Sequence, residues 1–269
     1  MISPVSTLLV AAHALVTIST AQAVGKFVHE ASYFTATYDV NEERQAMLTI
    51  VLKNWRNKNG QVFEFRGPHK FTSRFFPLRE LDYSIYTVDS RKAGHTDDSN
   101  GLDESIRDAL VFSGATDGYP LGPEDFTTIK YSTADTFTTT FGSSKVLAFT
   151  RNAYDLVPGN FVYKDTAAPH HEITYTIRDG GILGIKVKCG KYRESSGPLK
   201  LLPRYHDQRR VRYEVESTRR KNLDRFLYRA RRICPSKFST PAALSQVVFA
   251  TQKTIFVPFE GGTLVLTKV

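Results

Sequence analysis

Tryptophan, methionine and cysteine are scarce in this 269-residue chain, which contains one, two and two of them. The sequence also lacks the short motifs of common catalytic centres: G-x-S-x-G, H-E-x-x-H, the phosphate-binding P-loop and G-x-G-x-x-G. It has no N-x-S/T sequon, so N-glycosylation is not expected. These absences favour a binding protein over an enzyme, and the sequence predicts no catalytic residue, cofactor or metal site.

The N-terminus carries the longest apolar run. Residues 6–18, STLLVAAHALVTI, precede the small-x-small pattern Ala21-Gln22-Ala23, which is typical of a signal-peptide cleavage site. The run is shorter than the roughly 20 apolar residues that cross a bilayer. We therefore expect a signal peptide over residues 1–23, a secreted single β-rich domain over 24–269 and no transmembrane segment.

The two cysteines, Cys189 and Cys234, form an even pair in a chain predicted to be secreted. Such a pair predicts one disulfide, because the secretory environment is oxidising. Two separate buried thiols are the alternative. A disulfide here would tie a strongly basic segment to the strand that ends at Cys189.

That basic segment, residues 200–237, carries thirteen lysines and arginines against four acidic residues, a net charge of +9. The net charge of the whole chain is also +9, so the remaining residues balance. A concentrated patch indicates an electric field directed at an anionic partner. The residues predicted to bind that partner are Arg209, Arg210, Arg212, Arg219, Arg220, Lys221, Arg225, Arg229, Arg231 and Arg232.

Several partners fit this segment: nucleic acid, a heparan-type glycan, an anionic membrane surface or an unidentified host protein. Arginine suits phosphate and sulfate because its planar fork binds two oxygens. Tyr205, Tyr213 and Tyr228 interleave with the arginines and offer faces on which bases can stack. A nuclear import signal, proteolytic processing at the dibasic pairs and a solvated helix face are the alternatives.

Most of the chain from residue 24 onward is typical of β-strands. Hairpins are predicted around the glycine-containing turns at 142–144 and 179–181, and one strand is predicted over residues 81–88. Residues 103–112 are compatible with a short helix, and no internal repeat has a fixed period. The predicted fold is mainly β or α+β, with an antiparallel sheet or barrel and a basic amphipathic C-terminal helix.

That helix lies in TRRKNLDRFLYRARRIC, residues 218–234. Its apolar residues recur at helical spacing, Ser217 or Thr218 can cap its start, and Pro235 ends it. The apolar residues are Leu223, Phe226, Leu227, Ala230 and Ile233.

GPHKF (67–71) and RFFPL (74–78), with the later HHEITYTIRDGGILGIKVK, resemble the order of segments in fungal guanyl-type ribonucleases and their effector relatives. The resemblance implies that His69 matches the catalytic histidine of that family. Phe75 occupies the position of its glutamate base, and its arginine and His-Thr-Gly motifs have no counterpart. The resemblance therefore implies a non-catalytic relative that keeps a basic surface. An ordinary strand histidine is the alternative for His69.

DVNEER, residues 39–44, resembles the Glu-Glu-Arg motif of oomycete secreted effectors, although the usual upstream Arg-x-Leu-Arg is absent. An acidic turn, or a helix start capped by Asn41, is the alternative. Both resemblances imply a virulence protein that acts in or on a host, and a nuclear import signal in the basic segment would direct it to the host nucleus. The leading prediction is a secreted effector that binds an anionic partner without catalysis. A lipocalin-like β-barrel carrier of a small hydrophobic ligand and a ribonuclease-like hydrolase are the alternatives.

Overall fold

A computed structural model describes residues 24–56, 62–63, 70–89, 125–133, 135–142, 145–166, 170–206, 209–218, 222–235, 237–238, 240 and 243–269. These residues belong to two compact units, divided between Arg151 and Asn152. The region predicted as one domain thus contains two units. The predicted signal peptide and the predicted helix at 103–112 lie outside the described residues.

The described residues of the first unit form eleven strands. They are β1 (Gly25–Glu30), β2 (Phe34–Val40), β3 (Gln45–Leu52), β4 (Trp55–Arg56), β5 (Val62–Phe63), β6 (Lys70–Thr72), β7 (Phe76–Asp82), β8 (Ile85–Val88), β9 (Thr128–Tyr131), β10 (Thr136–Phe141) and β11 (Lys145–Arg151).

In the second unit, the part of the chain that the structure describes forms nine strands and one α-helix. They are β12 (Gly159–Lys164), β13 (His171–Arg178), β14 (Ile182–Cys189), β15 (Tyr192–Ser195), β16 (Leu199–His206), β17 (Arg209–Ser217), α1 (Asn222–Ile233), β18 (Gln246–Phe249), β19 (Thr254–Phe259) and β20 (Gly262–Lys268). A 3-10 turn at Asp179–Gly181 joins β13 to β14.

Each unit forms a closed antiparallel barrel. In the first, β1 pairs with β2 and with β11, and in the second, β12 pairs with β13 and with β20. The remaining ring strands pair with their neighbours along the chain. β6 and β7 both pair with β3, as β15 and β16 both pair with β14, so each pair is one interrupted ring strand and each ring has eight strands. The predicted mainly β fold with antiparallel pairing is therefore confirmed in its barrel form.

The interruption is built alike in the two units. The Ser73 hydroxyl accepts a hydrogen bond from the Leu48 amide at 2.9 Å, and the Ser73 amide donates to the Leu48 carbonyl at 2.8 Å. Ser196 makes the same two contacts with Ile185, at 2.9 and 2.8 Å. A serine at each interruption thus holds the interrupted strand to the neighbouring strand.

A second matched contact lies inside the barrels. The Tyr38 hydroxyl donates to the carbonyl of Phe126, and the Tyr175 hydroxyl donates to that of Leu244. Both acceptor residues have a φ of 59°, in the left-handed region. We conclude that the units are structural repeats of one plan. Their loops differ in length, so equivalent residues have no constant spacing and the sequence shows no fixed period.

Aromatic rings fill the interior of the first barrel. Phe137 stacks on Phe149 with ring centroids 4.9 Å apart, and Tyr38 meets both rings edge-on. Arg151 is 1% exposed and lies over the Phe27 ring at 4.4 Å. The interior of an eight-stranded barrel is just wide enough to be filled by side chains, and these rings occupy it.

Helix α1 closes one end of the second barrel. Phe226, Leu227 and Ala230 are buried in the same cluster as the barrel core. Leu223 and Ile233 pack against that cluster, so the predicted apolar stripe is confirmed. The Ser217 hydroxyl accepts a hydrogen bond from the Leu223 amide at 3.2 Å, and the helix ends two residues before Pro235.

The prediction of one strand over 81–88 is wrong. β7 ends at Asp82, and a tight turn at Tyr83 and Ser84 leads into β8. The Asp82 carboxylate accepts a hydrogen bond from the Tyr83 amide at 2.7 Å, and Ser84 adopts a φ of 63°. Asp82 and Ser84 thus allow the chain to turn without a glycine, and the Tyr83 side chain is exposed at the tip of the turn.

Candidate anion-binding surface beside the disulfide

The disulfide determines where the basic helix lies on the second barrel. Cys189, the last residue of β14, is bonded to Cys234, which directly follows α1, and their Cα atoms are 5.8 Å apart. The predicted pair is therefore confirmed. The bond fixes the C-terminal end of α1 beside the turn that joins β14 to β15.

The outer face of α1 presents arginines to solvent. Arg225, Arg229 and Arg232 are exposed, and Tyr228 between them is 64% exposed. The four residues follow the helical spacing i, i+3, i+4 and i+7, so they lie on one side of the helix, opposite the buried stripe. This side combines positive charge with an accessible aromatic ring.

Arg229 also attaches the helix to the barrel. Its Nε lies 3.0 Å from Glu194 Oε2, and its Nη2 donates to the Ser195 carbonyl at 3.3 Å. Both partners belong to β15. Arg229 therefore positions α1, and Glu194 offsets part of its charge, whereas the exposed Arg225 and Arg232 have no described ionic partner.

Arg231 points away from that face. Its guanidinium donates through Nε to the carbonyl of Phe238 at 2.9 Å and donates to the same oxygen through Nη2. Phe238 is fully buried and has a φ of 65°. Arg231 thus holds the segment that follows the helix.

The other residues predicted to bind an anionic partner lie outside α1. Arg212 is exposed on β17, directly opposite Arg204, which pairs with Glu214 at 2.6 Å. The side chains of Arg209 and Arg210, and residues 219–221 with Arg219, Arg220 and Lys221, lie outside the described part of the chain.

One predicted stacking residue is placed differently. Tyr213 is 5% exposed, and its ring packs edge-on against Phe249 in the core, so the expectation that it offers a stacking face is wrong. It alternates with outward residues on β17, and its inward position buries it. Tyr205, in contrast, is 59% exposed.

Four further basic residues lie next to the disulfide and outside the 200–237 segment. They are Lys186, Lys188, Lys191 and Arg193, in the run KVKCGKYR. Lys188 and Arg193 face each other in the register of β14 and β15. The predicted disulfide was the signal that could have found them, because it joins this run to the end of the basic helix.

An open cleft of about 420 Å³ separates the β14–β15 turn from the end of α1. Apolar groups dominate its walls, and the Lys191 ammonium lies 5.4 Å from the centroid of the Tyr192 ring. Tyr192 is 55% exposed. We call this the disulfide cleft; its lining residues are Cys189, Gly190, Lys191, Tyr192, Ile233, Cys234 and Pro235.

The two units differ in charge although they share one plan. Residues 152–269 contain 21 lysines and arginines and 10 acidic residues, a net charge of +11, whereas residues 1–151 contain 15 and 17, a net charge of −2. The basicity of the protein therefore belongs to the second unit. A common scaffold does not require this difference in charge.

The ribonuclease resemblance singles out one histidine as a catalytic residue. His69 lies outside the described residues. His171 is 2% exposed, its Nδ1 lies 2.9 Å from Asp165 Oδ2, and its ring stacks on Phe259. Among the described residues, no group of three or more histidine, cysteine, aspartate or glutamate side chains is arranged to hold a metal ion.

The Glu-Glu-Arg motif forms the turn between β2 and β3. Asn41 Oδ1 accepts a hydrogen bond from the Gln45 amide at 2.8 Å, and Arg44 has a φ of 56°. Glu42 and Glu43 are exposed. The structure thus gives these residues a turn-forming role, in which Asn41 bonds across the hairpin loop.

No helix within the described part of the chain combines the length and the apolar character needed to cross a membrane. Comparison of the chain with models of known families, with curated proteins and with solved structures finds no match.

Proposed function

We propose that this chain is a secreted binding protein whose second barrel contacts an anionic macromolecule through the surface around its disulfide. The observation that carries the proposal is the charge difference between the two units, +11 for residues 152–269 against −2 for residues 1–151, although their barrels share one plan. The target is a phosphate- or sulfate-bearing polymer of a host, in keeping with the effector resemblances.

The arrangement of the basic groups supports this proposal. Helix α1 is fixed by its buried stripe, by the disulfide and by Arg229, so Arg225 and Arg232 project from a rigid support. Ordering a flexible basic tail would cost conformational entropy on binding, whereas a fixed helix has already lost that freedom. The disulfide also supports secretion, because such bonds persist in oxidising environments.

The experiment is a salt titration of the full mature chain with labelled RNA and labelled heparin. Binding should be measurable at about 50 mM salt and should weaken steeply as salt rises, because counterions released from the polymer drive association. Absence of binding at low salt, or affinity that does not respond to salt, would refute the proposal.

A second candidate is a lipocalin-like carrier of a small hydrophobic ligand. It is favoured by one observation, the closed up-and-down barrel of eight strands in each unit, an architecture that lipocalins use. The rings that fill the first barrel oppose it there. Titration with a fluorescent fatty-acid analogue tests it, and saturable binding at one site per chain is the expected result for a carrier. The closed barrels do not favour the ribonuclease-like alternative, which calls for an open sheet around His69.

A further inference from the structure

Two solvent-exposed tyrosines stand on the basic surface of the second unit. Tyr192 forms a wall of the disulfide cleft, and Tyr228 lies on the outer face of α1. Tyr228 lies five residues before Ile233, which lines the cleft, so the two positions are about 7.5 Å apart along the helix axis.

The disulfide cleft has the size and chemistry to receive a planar aromatic group. Its volume of about 420 Å³ lies in the range of small-molecule sites, about 300–1,000 Å³. Ile233, Pro235 and the disulfide supply apolar contact, and Tyr192 supplies a ring face. Lys191 brings positive charge to the cleft.

The positive charge of this surface would suit any polyanion. The exposed tyrosine rings favour the polymers that can also stack on an aromatic face. A sulfated glycan offers anionic groups but no π-faces, and in a nucleic acid duplex the bases are stacked on one another inside. Only a single strand presents both accessible bases and phosphates. Base–aromatic stacking does not require a particular base, so it suits binding without sequence preference.

We propose that this surface binds single-stranded nucleic acid, with one base in the disulfide cleft against Tyr192 and another on Tyr228. The phosphates between them lie along Lys191 and Arg232. The inference rests on the proposed function, because it specifies the polyanion that the basic surface recognises.

The test compares three ligands of about 12 nucleotides or equivalent charge: single-stranded RNA, double-stranded RNA and heparin. The proteins are the parent chain and a double variant, Tyr192→Leu with Tyr228→Leu. Leucine keeps apolar volume and helix propensity while it removes the ring. Tyr83→Leu is the matched control, since Tyr83 is equally exposed but lies in the turn between β7 and β8 of the first unit.

We expect the double variant to lose affinity for single-stranded RNA by about tenfold or more and to keep its affinity for heparin and duplex RNA. Tyr192→Trp with Tyr228→Trp should restore binding, because tryptophan also stacks. Thermal unfolding of each variant shows whether the fold is intact, and the tryptophan variant keeps the test decisive if leucine destabilises the chain.

The outcomes separate the two proposals. Equal affinity of parent and double variant for single-stranded RNA would overturn the inference while leaving anion binding in place. Tighter binding of heparin than of RNA, independent of both tyrosines, would overturn it in favour of a glycan. Failure of the parent chain to bind any of the three ligands would overturn the proposed function itself.

Discussion

Tyr38 and Tyr175 occupy the same place in the two barrels, and each donates its hydroxyl hydrogen to the carbonyl of a residue in the left-handed conformation. Both side chains are almost completely buried, and burial raises the pKa of both phenols. The tyrosine therefore stays neutral and acts as a donor. One hydrogen bond thus fixes a strained backbone position in each unit.

Replacing Tyr175 with phenylalanine should destabilise the second unit by about 1–3 kcal/mol, because the carbonyl of Leu244 loses its buried donor. Chemical denaturation monitored by circular dichroism measures the change. Tyr205→Phe is the control and should have no effect, since Tyr205 is exposed. Equal stability of both variants would contradict a structural role for the Tyr175 hydroxyl.

Arg151 should stabilise the first unit. Its Nε lies 2.7 Å from Asp135 Oδ1, its Nη1 donates to the Val24 carbonyl at 2.6 Å, and the Phe27 ring lies beneath it. Arg151→Met should lower the free energy of unfolding of the first unit by about 2–3 kcal/mol, because the Val24 carbonyl and the Phe27 ring lose their cationic partner.

Lys268 provides the control. It lies opposite Phe161 in the strand register, as Arg151 lies opposite Phe27, but its side chain is exposed. Lys268→Met should therefore change the free energy of unfolding by less than about 0.5 kcal/mol. Hydrogen exchange resolved by unit measures both, and a larger effect at Lys268 would contradict the assignment.

The disulfide should stabilise the second unit selectively. Cys189 and Cys234 are 45 residues apart, so their bond restricts a large loop of the unfolded chain. Replacing both with serine should lower the free energy of unfolding of that unit by about 2–4 kcal/mol and leave the first unit unchanged. Unit-resolved hydrogen exchange again provides the measurement. Loss of protection in both units, or in neither, would contradict this account.

His171 should make the second unit sensitive to acid. Burial lowers the pKa of His171 below its usual 6.5, an effect to which Lys237 contributes and which Asp165 opposes. Below pH 6.5 the unfolded chain therefore binds more protons at this residue than the folded chain does, and the free energy of unfolding falls as the pH decreases from 6.5 toward the folded-state pKa.

His171→Phe removes this titration, so the stability lost between about pH 7 and pH 5 should be smaller in the variant than in the parent. Denaturant midpoints at the two pH values give the comparison. His170→Gln is the control because His170 is the exposed neighbour, and it should behave as the parent does. An unchanged pH dependence in His171→Phe would show that another group is responsible.

The sequence predicted elements whose determinants are local. The hairpin at Gly180 and Gly181 was predictable because glycine adopts positive φ freely, and the helix was predictable from the spacing of Phe226, Ala230 and their neighbours. The disulfide followed from there being one cysteine pair.

Long-range features could not be predicted in the same way. Closure of each barrel depends on pairs such as Phe27 with Arg151, which no local pattern specifies. The turn at Ser84 contains no glycine, so the alternation of residue types over 81–88 continues through it in the sequence and gives no sign of a turn. The candidate surface was predicted in part: Arg225 and Arg232 are exposed as expected, whereas Tyr213 is buried and Lys191 was recognised only once the disulfide had placed it beside the helix.

The most direct test of the central claim removes three exposed charges from each unit in turn. Arg212→Gln, Arg225→Gln and Arg232→Gln are combined in one variant; Arg229 is retained because it holds the helix to β15. The matched control combines Lys70→Gln, Arg79→Gln and Lys130→Gln, which are exposed residues of the first unit. Both variants lose the same net charge.

Affinity for RNA is then measured across a series of salt concentrations. The second-unit variant should bind RNA less tightly, and its plot of log affinity against log salt should be flatter by about 0.7 for each lost phosphate contact, whereas the control should match the parent. Equal affinities and equal slopes for the two variants would contradict the claim that the second barrel carries the anion-binding surface.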